Sequence, residues 1–89
     1  MLREKVVIQN TMGLHTRAAA KLVAIATKYD SKIQLEHNDQ LADCKSIMSL
    51  ILLGAKKGLT LDLIISGPDE LEARDGVVQL INDKFGESS

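Results

Sequence analysis

The sequence predicts one α+β domain over residues 1-89, built as a two-layer sandwich of a sheet and helices. Four segments have the alternation or short apolar runs typical of strands, and three have apolar residues at helical spacing. These segments follow one another in the order βαββαβα. Strands with one polar face and helices with one apolar stripe suit two layers that share a core. With one Phe, one Tyr and no Trp, that core is expected to be aliphatic.

The chain is expected to begin with a strand and a helix. Val6 to Ile8 form an apolar run after an alternating charged start, and Gln9 to Gly13 have the composition of a loop. From Thr16 to about Tyr29 the apolar residues follow helical spacing. The stripe of this helix that is expected to face the core contains Ala19, Leu22, Val23 and Ala26.

A hairpin is expected next. Lys32 to His37 alternate in polarity, which places Ile33 and Leu35 on one face. Asn38-Asp39 has the residue types of a tight turn and leads into a short strand from Gln40 to about Cys44. These two strands are therefore predicted to be neighbours in the sheet.

The second half of the chain is expected to contain two helices around the clearest strand. Ser46 is suited to cap a short helix that Gly54 ends. Thr60 to Ser66 are expected to form this strand. On its inner face are expected Leu61, Leu63 and Ile65, together with Leu59 just before it. Gly67-Pro68-Asp69-Glu70 then ends the strand and begins the last helix.

The last helix is expected to bury one stripe and to end in a loose tail. Its buried stripe is predicted to contain Leu71, Val78, Ile81 and Phe85, with Val77 beside them. Gly76 lies inside this helix, where glycine costs about 1 kcal/mol relative to alanine. The sequence alone gives no reason for that glycine. Gly86 to Ser89 are expected to be frayed.

Composition limits the classes of function. The formal net charge of −1 and the scarcity of aromatic residues argue against a nucleic-acid-binding module. The single cysteine, Cys44, cannot form an internal disulfide, and the charged N-terminus lacks a hydrophobic signal region. No apolar run approaches the length of a membrane span. We therefore expect a soluble, cytoplasmic protein that binds neither nucleic acid nor membrane.

The stretch Gly13-Leu14-His15-Thr16-Arg17 carries the most chemistry. It lies where a loop gives way to a helix, and the first helical amides lack intrahelical acceptors and carry partial positive charge. Arg17 adds a fork-shaped cation for phosphate oxygens, and the imidazole of His15 is a nucleophile near neutral pH. The stretch therefore predicts a phosphate site with His15 as nucleophile. The alternative is an ordinary loop histidine beside a solvated arginine.

The same residues resemble the active-site motif of the histidine-containing phosphocarrier (HPr) family of the bacterial phosphotransferase system. The resemblance covers essentially the whole chain, and Gly67-Pro68-Asp69-Glu70 with the last helix is similar to the nitrogen-branch, NPr-like members. It implies an open-faced sandwich with a four-stranded antiparallel sheet and three helices on one face. Family members usually have proline directly after the arginine, where this chain has Ala18. Alanine is a good helix former, so we expect the helix to persist.

The resemblance implies a phosphocarrier and not an enzyme. In the family, Nδ1 of the histidine that matches His15 accepts a phosphoryl group from phosphorylated Enzyme I and passes it to an Enzyme IIA-type acceptor. The output is sugar uptake or nitrogen and metabolic regulation. Arg17 and the amides of Thr16 and Arg17 are expected to hold the phosphate. Such a transfer needs positioning and charge stabilisation, with no cofactor or metal. A carrier with two alternating partners is expected to work as a monomer.

The helix after Ser46 is apolar almost all round. A domain this small cannot easily bury a helix on every side, so an exposed apolar patch is expected, with Leu50 and Leu53 facing the core. The alternative is that a neighbouring loop covers part of the patch. In the family this helix docks the partners. The expected partner surface consists of Ala20, Ile47, Met48, Ile51 and Lys56.

Ser46 supports two interpretations. As an N-cap it would stabilise the helix by about 1 kcal/mol. It also matches the position of the family's regulatory serine, and a phosphate there would repel an acidic partner beside the docking patch. A regulatory protein that acts through a Ser46 kinase, without sugar transfer, is therefore the alternative function.

The remaining residues with metal-binding or phosphate-binding potential are expected to be structural. His37 and Cys44 have no standard zinc spacing with His15, so no metal site is predicted. Gly54-Ala55-Lys56-Lys57-Gly58 lacks the glycine spacing and the strand-to-helix setting of a phosphate-binding loop. It is expected to be a turn with solvated lysines.

Overall fold

The order of elements is the predicted βαββαβα. The computed structural model describes all of residues 1–89. Its elements are β1 (Leu2–Val7), α1 (Thr16–Ala26), β2 (Lys32–His37), β3 (Gln40–Asp43), α2 (Ile47–Leu53), β4 (Thr60–Ser66) and α3 (Glu70–Asn82). A single 3-10 turn over Lys84–Gly86 follows α3. None of the helices is long and apolar enough to cross a membrane.

The four strands form one antiparallel sheet in the order β1-β4-β2-β3. β4 lies at the centre, between β1 and β2, and β3 pairs with β2 as the predicted hairpin. Side chains from all three helices join the inner face of the sheet in one hydrophobic core. The predicted open-faced two-layer α+β sandwich is confirmed.

The core is aliphatic, as predicted, with one buried aromatic ring. The inner face of β4 supplies Leu61, Leu63 and Ile65, and Leu59 packs against them from the preceding loop. The helices add buried residues at helical spacing, which are Ala19, Leu22, Ala26, Leu50, Leu53, Ala73, Val77 and Ile81. Ala18, which stands where the family usually has proline, is fully buried at the start of α1.

Several element limits differ from the prediction. β1 begins at Leu2, because the alternating start of the chain pairs with β4 from Leu2 opposite Ile65 onward. α1 ends at Ala26 and not near Tyr29, although the Thr27 amide still bonds to the carbonyl oxygen of Val23 at 2.9 Å. The amides of Lys28 and Tyr29 bond to carbonyl oxygens only three residues back, so the α-helix gives way to turns there.

The buried face of α3 also differs from the prediction. Ala73, Val77 and Ile81 are the buried residues, whereas Leu71 is 56% exposed and Val78 is only partly buried. Phe85 is fully buried as expected, but it lies beyond the helix in the 3-10 turn, with φ of 55°. The helical pattern of the sequence therefore continues beyond Asn82, where α3 ends. The ring of Phe85 enters the core from the 3-10 turn that follows the helix.

The C-terminal residues are packed against the protein, so the prediction of a frayed tail is wrong. The amide of Thr11 donates to the carbonyl oxygen of Ser89 at 3.1 Å. Lys21 Nζ donates to the carbonyl oxygen of Phe85 at 2.7 Å. These contacts hold the tail alongside the loop between β1 and α1.

The position of Gly76 is explained by Tyr29, and this gives a testable prediction. A Cβ at Gly76 would lie 2.5 Å from Tyr29 Oη, with the ring carbon Cζ next at 3.3 Å. At a helical position without a steric obstacle, alanine would stabilise the folded protein by about 1 kcal/mol relative to glycine. We expect Gly76→Ala to be about 0.5–1 kcal/mol more favourable in a Tyr29→Phe background than in the parent, because the hydroxyl is then gone. Urea unfolding of the parent, both single variants and the double variant measures this difference. Equal effects in both backgrounds would contradict it.

Cys44 gives a second prediction. The thiol is fully buried directly after β3, and burial raises the pKa of Cys44 to about 12. Only the thiolate reacts with disulfide reagents, and at pH 8 its fraction in the folded protein is minute. We expect no labelling by a disulfide reagent over hours in native buffer, and complete labelling after unfolding in urea. Rapid labelling of the folded protein would contradict the burial.

Candidate functional site

Gly13 fixes the backbone two residues before His15. Its φ is 65°, and a Cβ there would lie 2.5 Å from the carbonyl oxygen of Ala55. The amide of Leu14 donates to this same oxygen at 2.9 Å, and the Leu14 side chain is buried. Only glycine combines the left-handed conformation with so close an approach. The loop before α1 is thereby held against the loop that follows α2.

His15 is the N-cap residue of α1. Its backbone is extended, with φ of −81° and ψ of 178°, and its carbonyl oxygen accepts from the Ala19 amide at 2.8 Å. The imidazole makes no capping hydrogen bond, so it is free for other contacts. The side chain is 18% exposed at the start of α1. The amides of Thr16 and Arg17 lie in the first turn, where helical amides lack intrahelical acceptors. The predicted helix-start setting of His15 is confirmed.

One ring nitrogen of His15 contacts a residue that the sequence analysis missed. His15 Nε2 lies 2.6 Å from Glu87 Oε2. The pKa of the Glu87 carboxyl is lowered, most by the hydrogen bond from His15 and next by the one from Asn10. The nearby charges of His15 and Lys21 lower it further. The carboxylate is therefore ionised near neutral pH, and Nδ1 is the ring nitrogen left open to an incoming group.

Asn10 joins the loop, the tail and the histidine. Its side chain is fully buried, and Nδ2 donates to the Gly13 carbonyl oxygen at 2.8 Å and to Glu87 Oε1 at 3.1 Å. Glu87 thus has one carboxylate oxygen on Asn10 and the other on His15. The sequence suggested only a turn residue at Asn10, since nothing local indicates that a tail carboxylate lies against it.

Arg17 is exposed in the first turn of α1 and forms no side-chain hydrogen bond or ion pair with another residue. A cation at a helix N-terminus is mildly unfavourable, and a bound anion removes that cost. Thr16 and Arg17 directly follow His15 in the first turn of α1, and both are exposed and carry hydrogen-bond donors suited to an anion. This end of α1 is suited to bind a phosphoryl group.

Four apolar side chains of α2 face solvent and define the α2 patch, namely Ile47, Met48, Ile51 and Leu52. The first three were predicted, and Leu52, which is 70% exposed, was missed. Residues four apart in the patch are neighbours on one side of the helix. Leu50 and Leu53 are buried, as predicted. No loop covers the patch.

The α2 patch lies on a helix that packs against the one that His15 caps. α2 packs against α1, on which Ala20 is exposed, and Lys56 is exposed in the turn after α2. Met12, which is 65% exposed in the loop before His15, adds an apolar side chain that the sequence analysis did not select. An exposed apolar surface thus lies on the helix that packs against α1, the helix that begins after His15.

Ser46 is the N-cap of α2, as predicted. Its Oγ accepts from the Ser49 amide at 3.2 Å, and Gly54 ends the helix in the left-handed conformation with φ of 64°. The capping bond alone accounts for serine at this position.

Comparison with known proteins identifies the family. A family model described as "PTS HPr component phosphorylation site" matches residues 2–83. The chain belongs to the HPr family. It is 42% identical over 87 residues to the phosphocarrier protein HPr of Cupriavidus necator, covering 98% of each protein. It is 35% identical to the phosphocarrier protein NPr of Shewanella violacea, covering 99% of this chain and 97% of that protein.

A solved HPr structure has the same fold. The HPr of Thermoanaerobacter tengcongensis is 39% identical, with a TM-score of 0.95 and full coverage of both chains. The family match and these relatives show that the protein is a phosphocarrier of the phosphotransferase system. The resemblance to the HPr family that the sequence motif indicated is confirmed. The described residues contain no cluster of three or more His, Cys, Asp or Glu side chains arranged to hold a metal. His37 lies at the end of β2 and Cys44 is buried in the core.

Proposed function

We propose that His15 is the phosphoryl acceptor of this HPr-family carrier, and that Nδ1 is the atom phosphorylated. The observation that carries the proposal is the contact of Nε2 with Glu87, which leaves Nδ1 as the open nitrogen at the start of α1. The exposed side chain of Arg17 and the first-turn amides support it, because they can neutralise phosphoryl oxygens. The donor in this proposal is an Enzyme I-like protein charged from phosphoenolpyruvate, and the acceptor is an Enzyme IIA-type domain.

The proposed transfer is a direct displacement. The lone pair of His15 Nδ1 attacks phosphorus, and the bond from phosphorus to the donor nucleophile breaks, with its electron pair staying on the donor. Arg17 and the amides of Thr16 and Arg17 stabilise the charge on the transferred oxygens. A downstream nucleophile then attacks the same phosphorus, and the electron pair of the broken bond returns to Nδ1. The protein is thus consumed and regenerated by its partners and does not act as an enzyme.

The proposed partner surface is the α2 patch with Ala20 and Lys56. Met48 and Leu52 are the most exposed of its apolar side chains, at 64% and 70%. Large exposed apolar groups that lie together on a small protein favour binding of another protein, and methionine adapts to several partners. Donor and acceptor must each approach the same histidine, so they would use this surface in turn. We accordingly propose that the protein works as a monomer, in the cytoplasm with its phosphoryl source.

The experiment that tests the function is phosphorylation in a purified system. The protein is incubated with the Enzyme I of its own host and phosphoenolpyruvate, and its intact mass is measured before and after mild acid. We expect the added mass of one phosphate, lost in acid, as for a phosphoryl group on a histidine nitrogen. A parallel sample without Enzyme I should gain nothing. Absence of added mass with the host Enzyme I would overturn the proposal.

A further inference from the structure

The tail that carries Glu87 has an unusual backbone. Three consecutive residues have left-handed conformations, with φ of 57° at Lys84, 55° at Phe85 and 79° at Gly86. Glycine adopts this conformation readily, but lysine and phenylalanine do so at a cost in conformational energy. A strained segment of this kind persists only where its surroundings fix it, and such segments are frequent at functional sites.

Three separate contacts fix this turn and the residue after it. The ring of Phe85 is fully buried in the core, and Lys21 Nζ holds the Phe85 carbonyl oxygen at 2.7 Å. Beyond the turn, Asn10 Nδ2 holds Glu87 Oε1 at 3.1 Å. With the turn held in this way, the second carboxylate oxygen of Glu87, Oε2, lies 2.6 Å from His15 Nε2.

We propose that Glu87 is a positioning residue for phosphoryl transfer, which orients the His15 imidazole and keeps its proton on Nε2. This inference rests on the proposed acceptor role of His15. An ionised carboxylate can only accept hydrogen bonds, so Nε2 must be the protonated nitrogen and Nδ1 must carry the free lone pair. The ring is thereby held in the tautomer that Nδ1 attack requires.

Glu87 also stabilises the positive charge that develops on the His15 ring during the reaction. When Nδ1 bonds to phosphorus, the ring becomes positively charged with its proton still on Nε2. The carboxylate beside Nε2 stabilises that charge, as carboxylate partners of catalytic histidines do. The proton does not leave Nε2 in either direction of transfer, so the step needs no separate acid or base.

The first arm of the test is spectroscopic and does not require phosphorylation. In protein with 15N-labelled histidine, at a pH where both imidazoles are neutral, correlation spectra report which ring nitrogen is protonated. We expect His15 to be protonated on Nε2 in the parent and to become a mixture of tautomers in Glu87→Ala. His37 is an internal control and should not change. An unchanged His15 tautomer in Glu87→Ala would overturn the inference.

The second arm measures the rate of phosphorylation by Enzyme I and phosphoenolpyruvate. We expect Glu87→Ala to lower the maximal rate about tenfold with little change in KM, since groups that orient a histidine ligand have effects of this size. Glu87→Gln keeps an acceptor for Nε2 but loses the charge, so its rate should fall between parent and alanine variant. Ser88→Ala, an exposed neighbour in the tail, is the matched control and should have the parent rate.

The outcomes separate this inference from the function on which it rests. Parent-like rates in both Glu87 variants would overturn the positioning role even if the tautomer shifts, while the phosphorylation of His15 would stand. An acid-labile phosphate that persists in His15→Ala would overturn the proposed function itself. A rise in KM without a fall in the maximal rate would place Glu87 in partner binding and also contradict the inference.

Discussion

Replacing His15 with alanine is expected to abolish phosphorylation by Enzyme I while the protein remains folded. His15 is the proposed acceptor, and neither Thr16 nor Arg17 offers a nucleophile of comparable strength at neutral pH. The imidazole is partly exposed and makes no capping bond, so its loss removes little packing. We expect no added phosphate in the intact mass and a melting temperature within roughly 5 °C of the parent.

The control for this substitution is His37→Ala. His37 is the other histidine of the chain and lies at the end of β2. The His37→Ala variant should be phosphorylated at the parent rate. If His15→Ala still acquires phosphate, or if His37→Ala loses it, the acceptor has been assigned to the wrong residue. If His15→Ala unfolds, the imidazole has a structural role that its contacts do not indicate.

Replacing Met48 with glutamate is expected to raise KM for Enzyme I roughly tenfold or more. A carboxylate in the α2 patch would have to lose its water when a partner covers it, which costs free energy of binding. The maximal rate at saturating carrier should change much less, because His15 and Arg17 are untouched. Steady-state phosphorylation over a range of carrier concentrations separates the two quantities.

Leu71→Glu is the matched control for the α2 patch. Leu71 is 56% exposed, close to the 64% of Met48, but it lies in the first turn of α3. An acid there is favourable for the helix and should leave KM unchanged. Equal effects at Met48 and Leu71 would mean that net charge, and not the patch, governs the encounter. Loss of folding in Met48→Glu would mean that the residue belongs to the core.

Local signals predicted most of the fold. The alternation in β4 set both of its ends, and Ser46 and Gly54 marked the limits of α2, because a cap and a left-handed C-terminal residue depend on nearby backbone alone. The histidine motif at the start of α1 was equally local. For these features, neighbouring residues carry enough information.

The errors arise where distant contacts decide the structure. Leu71 has the helical spacing of a buried residue, yet α3 turns the stripe of Ala73, Val77 and Ile81 toward the core, so Leu71 lies on another side of the helix and is exposed. Phe85 lies on the extended helical pattern, but α3 ends at Asn82 and the ring enters the core from a left-handed turn. Spacing alone does not show where a helix stops when no proline follows it.

Glu87 was missed for the same reason. It is separated from His15 by 72 residues, and only the folding of the tail across the β1–α1 loop brings the two together. One signal was available in the sequence. Phe85 is the only phenylalanine of the chain, and so large an apolar residue near the C-terminus is expected to anchor the tail. An anchored Phe85 argues against fraying of the residues beside it.

The measurement that tests the central claim most directly is the NMR spectrum of the phosphorylated protein with 15N-labelled histidine. The account predicts phosphorus coupled to Nδ1 of His15, with the proton on Nε2 and the signals of His37 unchanged. Phosphorus on Nε2 of His15 would contradict the role of the Glu87 contact, because that nitrogen would have to be free. Phosphorus on His37 or Ser46 would contradict the site as a whole.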